Sequence, residues 1–346
     1  VAYAAVDRHR LDDYRPHLYR TRDYGKSWTE VDAGIGPSSF LNAIREDPKR
    51  RGLLYAATET GVFVSFDDGD HWQSLQLNLP TVSVRDLVIH GDDLVIATHG
   101  RAFWILDDAA PLGEVNGNVA AADAWLYQPA TAIRMSSESF PGTPLPPEEP
   151  TAANPPGGAI LDYFLNAPPA GDVTVEILDA KHQVIRRFST SDVPVAARRT
   201  GLTIADIWVQ IPAPLTAHAG MNRLVWDLRY PGPVRGPQVA PGTYQVKLTV
   251  AGRSYQKPLR VVMDPRSAAT PIDLVNQLNL GLQVMKAIDK ASKIKAPEAA
   301  RIAAGLRVAL TVVESADRTP PAQAFAIFAQ AQRDLAKLLA GSTARR

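Results

Sequence analysis

Thr58-Glu59-Thr60-Gly61 and Thr98-His99-Gly100-Arg101 place a carboxylate, an imidazole and a guanidinium after the same threonine, and Arg85-Asp86 opens a nearby apolar run. A carboxylate, an imidazole and two guanidiniums around one mouth would bind an anionic or sugar ligand through charge-assisted hydrogen bonds. The plainer reading is a salt-bridge network between neighbouring strands. Glu59 and Asp86 form the one acid pair worth testing for catalysis, since cleavage of a glycosidic bond needs two carboxyl groups roughly 5–10 Å apart. The charged segment Asp7–Pro16, with His9, Arg10 and Tyr14, is much longer than the matching turn at 58–61. Its length marks it as a candidate specificity loop, although such runs are commonly just solvated. The run Asp67-Asp68-Gly69-Asp70 lacks the distal bidentate Glu of a calcium loop, so no metal is expected there. The chain has no cysteine, which excludes disulfides, zinc fingers, iron–sulfur ligation and thiol catalysis together. No cofactor is expected.

The elements that must position these residues are announced by a repeat. Thr21-Arg22-Asp23-Tyr24-Gly25-Lys26-Ser27-Trp28 matches Ser65-Phe66-Asp67-Asp68-Gly69-Asp70-His71-Trp72, and Asp23 and Asp67 are 44 residues apart. A third copy, Ile105-Leu106-Asp107-Asp108-Ala109, keeps the Asp 40 residues further on but has lost Gly and Trp. In each full copy the Asp carboxylate is suited to accept backbone N–H groups, the Gly to supply a positive φ, and the Trp to close the turn. The structural role of Asp23, Gly25, Trp28, Asp67, Gly69, Trp72 and Asp107 is therefore to staple hairpins. Periods in the forties suit one four-stranded propeller blade each. Strands are expected at 41–45, 53–57, 62–65 and 72–75, then at 84–90, 94–98 and 102–106, with an opening half blade at 2–6 and 17–20.

The boxes resemble the Asp-box (BNR) repeats of sialidases, xyloglucanases and sortilin-type propellers. Three further runs extend the resemblance over roughly residues 1–265. They are Ala97-Thr98-His99-Gly100-Arg101-Ala102-Phe103-Trp104-Ile105-Leu106-Asp107-Asp108, Asn154-Pro155-Pro156-Gly157-Gly158-Ala159-Ile160-Leu161-Asp162-Tyr163 and Asn222-Arg223-Leu224-Val225-Trp226-Asp227-Leu228-Arg229-Tyr230-Pro231. Together they are similar to the C-terminal third of large bacterial proteins labelled as BNR-type glycosyl hydrolases or sortilin-domain proteins. The resemblance implies about two and a half terminal blades of a propeller at 1–108. Activity does not follow from fold, and the arginine triad, the Tyr–Glu pair and the Arg-Ile-Pro start of sialidases find no match. In a propeller the box turns lie on one face, and the loops carrying Glu59, His99, Arg101, Arg85, His9, Arg10 and Tyr14 on the other.

Residues 109–157, rich in Ala, Pro, Gly and Ser, read as a linker or strap, clearest at Phe140–Pro147. Within it, Trp125-Leu126-Tyr127 and Ala132–Met135 suit a short strand that completes the last blade or crosses to the next domain. Strands with turn punctuation over 158–265 suggest an immunoglobulin- or fibronectin-like sandwich, with Trp226 in its core. Residues 268–342 read as a helical hairpin or three-helix bundle, opened by a Thr270–Asp273 capping box and facing its core with Val275, Leu278, Leu282 and Met285. A second helix from Pro297 offers Ile302, Leu306 and Val313, and a third offers Phe325, Phe328 and Leu335. Arg345-Arg346 should be frayed.

The formal net charge of +1 argues against a dedicated nucleic-acid binder, and no apolar run is long enough for a membrane span. Val1–Val6 reads as a strand from its first residue, so upstream sequence carrying a signal peptide is expected, with an extracytoplasmic location (periplasmic or secreted). Propellers need about four to eight blades to close. The expected partners are accordingly the remaining blades of the same precursor, beside a carbohydrate, peptide or protein ligand. The chain is then either a binding module that is non-catalytic in this segment, or part of a glycoside hydrolase (sialidase-like or β-glucan-acting) whose catalytic residues lie mostly upstream.

Overall fold

The computed structural model describes residues 1–135, 152, 154–193, 213–232 and 236–343, so Phe140–Pro147 and Arg345-Arg346 lie outside the described residues. The described residues are mainly β, with five sheets and a C-terminal helical region. It divides into two compact units, Val1–Ala122 and Asp123–Arg346.

The first unit holds three antiparallel sheets in which sequence neighbours pair. Strands β1 (Ala2–Ala5), β2 (Leu18–Thr21) and β3 (Thr29–Glu30) form the first, and β4 (Leu41–Glu46), β5 (Leu54–Thr58), β6 (Gly61–Ser65) and β7 (Gln73–Ser74) the second. The third contains only β8 (Val84–His90), β9 (Asp93–Thr98) and β10 (Phe103–Leu106). The middle strand β5 is buried along its whole length because it is covered on both faces. Leu18, Val31, Leu54, Ala56 and Trp72 fill the space between the first and second sheets. Tyr55, Val62, Val64, Leu87 and Ile96 fill that between the second and third.

The two box turns are built alike. The Thr21 hydroxyl bonds Asp23 at 2.9 Å and takes the Gly25 amide at 2.9 Å, while Asp23 accepts the Ser27 amide at 2.9 Å. Ser65 bonds Asp67 at 2.9 Å and takes the Gly69 amide at 3.0 Å, while Asp67 accepts the His71 amide at 2.9 Å. Tyr24 and Gly25 (φ 63° and 86°) match Asp68 and Gly69 (φ 66° and 92°). In the third copy Asp108 keeps a positive φ of 54°. Ala109, in the glycine's place, falls at φ −81° and ψ 2°, and the chain enters a 3-10 turn at Ala110–Gly113. A side chain at that position disfavours the left-handed turn, and no return strand pairs with β10 among the described residues.

The two tryptophans have different fates. Trp72 is buried and donates from Nε1 to Val31 O at 2.8 Å across to the first sheet. Trp28, its counterpart in the first sheet, is 46% exposed. Gly34, at φ 103°, lies so close to the Trp72 carbonyl that a Cβ would sit 2.1 Å from it.

In the second unit, β11 (Ala124–Leu126), β13 (Ala159–Leu165) and β16 (Gly220–Trp226) form one sheet. The other orders β12 (Ala132–Arg134), β18 (Arg253–Met263), β17 (Gly242–Val250), β14 (Thr174–Leu178) and β15 (Val184–Ser189). Segments 124–126 and 132–134 thus enter these sheets, β12 parallel to β18. The inner faces share one core around Tyr163, Trp226, Val246 and Leu259. Trp226 is fully buried and donates to Arg229 O at 3.1 Å, an interior anchor.

Helix α1 (Gly117–Ala121) is capped by Asn116, and α2 (Pro271–Ser292) opens with a complete Thr270–Asp273 capping box. Helices α3 (Pro297–Val313) and α4 (Ala322–Thr343) complete a three-helix region with its own core of Val284, Ile288, Leu306, Leu310, Phe328 and Leu335. The buried stripe of α2 runs through Leu274, Gln277, Gly281, Val284 and Ile288, about one position round from the stripe expected from apolar spacing. Val275 is exposed, because Gln277 and Gly281 face inward. Gln277 donates to Val313 O and Ala316 O, and Gly281 meets Pro237 at a distance that leaves no room for a Cβ.

Candidate functional site

Alternate turns of an antiparallel meander lie at opposite ends of the sheet, so the 59–60 turn and the 75–83 connection share one rim, away from the Asp67 turn. The box turn lies beside the 47–52 turn, where the Asp68 amide donates to Gly52 O at 2.9 Å.

On the first rim the two threonine segments use the same local device. Thr58 Oγ1 donates to Gly61 O at 2.9 Å and accepts the Thr60 amide. Thr98 Oγ1 donates to Ala102 O at 2.7 Å and accepts the Arg101 amide. The Glu59 amide donates to Phe40 O at 3.0 Å and the His99 amide to Ser83 O at 2.8 Å, so the two residues hold equivalent places in adjacent sheets. Strands β4 and β8 each carry a register shift, at Asn42 and at Arg85, which turns these two residues out of the ladder.

These displacements create a polar cluster. Ser83 Oγ donates to Glu59 Oε2 at 2.6 Å, Arg85 Nη2 stands 3.9 Å from the same oxygen, and Arg85 Nη1 reaches Asn42 Oδ1 at 3.4 Å. His99, Arg101 and Arg10 are exposed. Arg101 and Arg10 form no ion pair among the described residues. Asp86 is not part of this cluster: its carboxylate accepts from Arg45 Nη2 at 2.8 Å and from the Leu87 amide. Ser83 and Asn42 were not identifiable as participants from the sequence, because a bulge has no compositional signature.

The 7–16 segment packs on the same rim. His9 stacks on Phe40 with centroids 4.7 Å apart, and Tyr14 meets that ring at 6.3 Å. Its root is Asp13, which accepts from Arg15 Nε at 2.9 Å, contacts buried His17 Nε2 at 2.9 Å, and faces Arg8 at 3.4 Å. The Arg15 guanidinium, then the His17 hydrogen bond, hold the Asp13 carboxyl well below the usual carboxylate range. Asp7 is tied to the His9 ring at 2.6 Å. Half of this charged loop is therefore internally paired.

The box carboxylates respond to their turns. Hydrogen bonds from the Ser27 side chain and amide pull Asp23 from 3.8 down to about 2. A depressed folded-state value stabilises the native turn above the ordinary carboxylate range, and that contribution disappears as pH falls through the folded value. Asp23→Asn should therefore flatten the loss of stability between pH 3.8 and about 2, as read by thermal melts across that window.

No family model matches the chain, and no curated protein matches it. Among solved structures, the extracellular domain of a putative hybrid two-component system from B. thetaiotaomicron aligns with a TM-score of 0.22 and 10% identity, over 71% of this chain and 28% of that one. This chain thus spans about a quarter of that protein's chain. Among the described residues no helix is long and apolar enough to cross a membrane, and no cluster of three or more His, Asp or Glu side chains has metal-binding geometry.

Proposed function

We propose that Val1–Ala122 is a run of successive blades of an extracytoplasmic Asp-box propeller and that its first rim binds an anionic ligand, such as an acidic sugar, without catalysis. The observation that carries this reading is the cluster in which Ser83 and Arg85 hold Glu59 beside the equivalent, exposed His99. Glu59 orders Arg85, while Arg101 and Arg10 remain exposed and unpaired to receive negative charge. The exposed edge of Tyr14 offers an apolar wall for a sugar ring. A hydrolytic role is not favoured, because Asp86 is committed to Arg45 rather than turned toward Glu59. The sandwich-like sheets and the helices of the second unit serve as a spacer or docking module.

The proposal that further blades of the same precursor flank these sheets is supported by the end faces. Val88, Phe103 and Ile105 are 52%, 75% and 55% exposed on the outer side of the third sheet. Their counterparts on the second sheet, Val62 and Val64 for Phe103 and Ile105, are buried by a neighbour.

Titration with sialic acid and glucuronic acid tests the rim. His99→Ala and Arg101→Ala should each weaken binding at least tenfold while leaving the melting temperature unchanged. Binding that survives both substitutions, or a collapse in melting temperature, would return these residues to a structural role. Cleavage of sialosides or β-glucans that is lost in Glu59→Gln would instead favour the hydrolase reading.

A further inference from the structure

The three sheets of the first unit end alike on the first rim. The Val6 amide donates to His17 O at 2.9 Å, as the Thr98 amide does to Ala102 O at 3.1 Å. The registers agree, pairing Ala5 with Leu18, Ala57 with Val62 and Ala97 with Phe103. Asp7, Glu59 and His99 therefore follow equivalent strand ends in three successive sheets. Phe40 and Ser83 correspond in the same way, since Phe40 O takes the Glu59 amide and Ser83 O the His99 amide.

Each of these two side chains reaches back to the turn of the preceding sheet. Ser83 Oγ donates to Glu59 Oε2 at 2.6 Å. Phe40, 5% exposed, instead stacks on His9, with the two rings 19° from parallel. His9 is held a second time by Asp7, whose Oδ1 lies 2.6 Å from its Nδ1 and accepts its backbone amide at 3.0 Å. A carboxylate at Nδ1 keeps the proton of a neutral ring on that nitrogen and leaves Nε2 as the free end. The His9 side chain is 33% exposed, and Nε2 is open to solvent, with no partner among the described residues. The Ser39 hydroxyl also bonds Thr60 Oγ1 at 2.6 Å. Residues 39–40 thus grip the 58–61 turn by backbone and hydroxyl, and the 7–16 segment by an aromatic ring.

We propose that Phe40 and Asp7 are positioning residues of the rim: Phe40 fixes the plane of the His9 ring and Asp7 its tautomer, so that Nε2 is presented to the ligand. The ligand clause rests on the anionic-ligand reading, whereas the orientation of the ring does not. A neutral His9 offers Nε2 as an acceptor to a sugar hydroxyl, and the protonated ring offers it as a donor to a carboxylate. An acidic sugar carries both groups. Because the Phe40 carbonyl, rather than its ring, holds the Glu59 amide, replacing the ring frees His9 and leaves the arm made by Glu59, Ser83 and Arg85 in place.

The test is NMR of the full chain carrying isotope-labelled histidine, before and after titration with glucuronic acid. In mildly alkaline buffer, where imidazoles are neutral, His9 should show the Nδ1-protonated tautomer in its ring-nitrogen shifts. Its ring protons should be displaced upfield by the Phe40 ring current. Phe40→Leu should abolish that displacement, and Asp7→Ala should return the ring toward the Nε2-protonated form of free histidine. Each should weaken glucuronic acid binding at least tenfold, and neither should add to the loss already seen in His9→Ala. Asp7 is exposed, so its variant is read on a folded protein even if the leucine substitution lowers the melting temperature. Ring resonances unchanged in both variants would overturn the proposal, as would sugar binding lost in His9→Ala but kept in both. A wild-type chain that binds no acidic sugar would sink the anionic-ligand reading, and the ring resonances alone then decide whether Phe40 and Asp7 set His9.

Discussion

Trp72→Ala should destabilise the first unit by about 3–5 kcal/mol, and Trp28→Ala, the same change in the same motif, by well under about 1 kcal/mol. The difference follows from placement. Trp72 is 5% exposed, spans two sheets and donates to Val31 O, so its removal opens a cavity and strands a carbonyl. Trp28 is 46% exposed and has no sheet beyond it among the described residues. For a unit of this size the first change corresponds to roughly 10–20 °C in melting temperature. Differential scanning calorimetry of the two variants side by side provides the comparison. Equal losses would mean that Trp28 is covered in solution, as the flanking-blade proposal requires when its partner is present. Adding that partner should then raise the cost of Trp28→Ala toward that of Trp72→Ala.

The second large effect is expected in the other unit. Arg134, at the end of β12, is 1% exposed. It donates from Nε to Val239 O at 2.9 Å, from Nη2 to Gln277 Oε1 at 2.6 Å, and from Nη1 to Asp317 just beyond α3. A companion pair joins Arg229 to Glu314 at 2.8 Å, and the Gln238 amide meets the same carboxylate at 3.1 Å. These two pairs fasten the helical region to the sheets. Arg134→Ala leaves a buried carboxylate, an amide oxygen and a carbonyl without their donor and should cost about 3–5 kcal/mol. The helices should become the first part cut by limited proteolysis. Arg134→Met combined with Asp317→Leu removes both charges and should recover most of the loss, because the penalty comes from the unpaired charge rather than from the missing attraction. Failure of the double variant to recover would show that the hydrogen bonds to Gln277 and Val239 dominate.

Features governed by neighbours in the chain were legible from the residues alone. The box turns needed only Ser or Thr, Asp and Gly within a few positions, because Asx-type hydrogen bonding and a positive φ are local requirements. The Thr270–Asp273 cap was equally readable, and so was the loss of Gly at Ala109, where φ is negative. The equivalence of Glu59 and His99 also came from spacing, since both occupy the first position after a repeated threonine.

Tertiary structure alone decided the rest. Two identical box tryptophans differ in burial because only one has a sheet in front of it, and no local rule carries that information. Asn42 and Arg85 join Glu59 and Ser83 through register shifts that leave no mark in composition, and Asp86 turns to Arg45, from the neighbouring β4, instead. Arg134 and Asp317 stand 183 positions apart, and Gln277 turns the stripe of α2 away from its most apolar line because a buried amide can satisfy carbonyls that leucine cannot. In each case the deciding partner is remote in sequence. Local propensity therefore specified the turns, strands and caps, while long-range packing and buried hydrogen bonding selected which side chains became core, latch or rim.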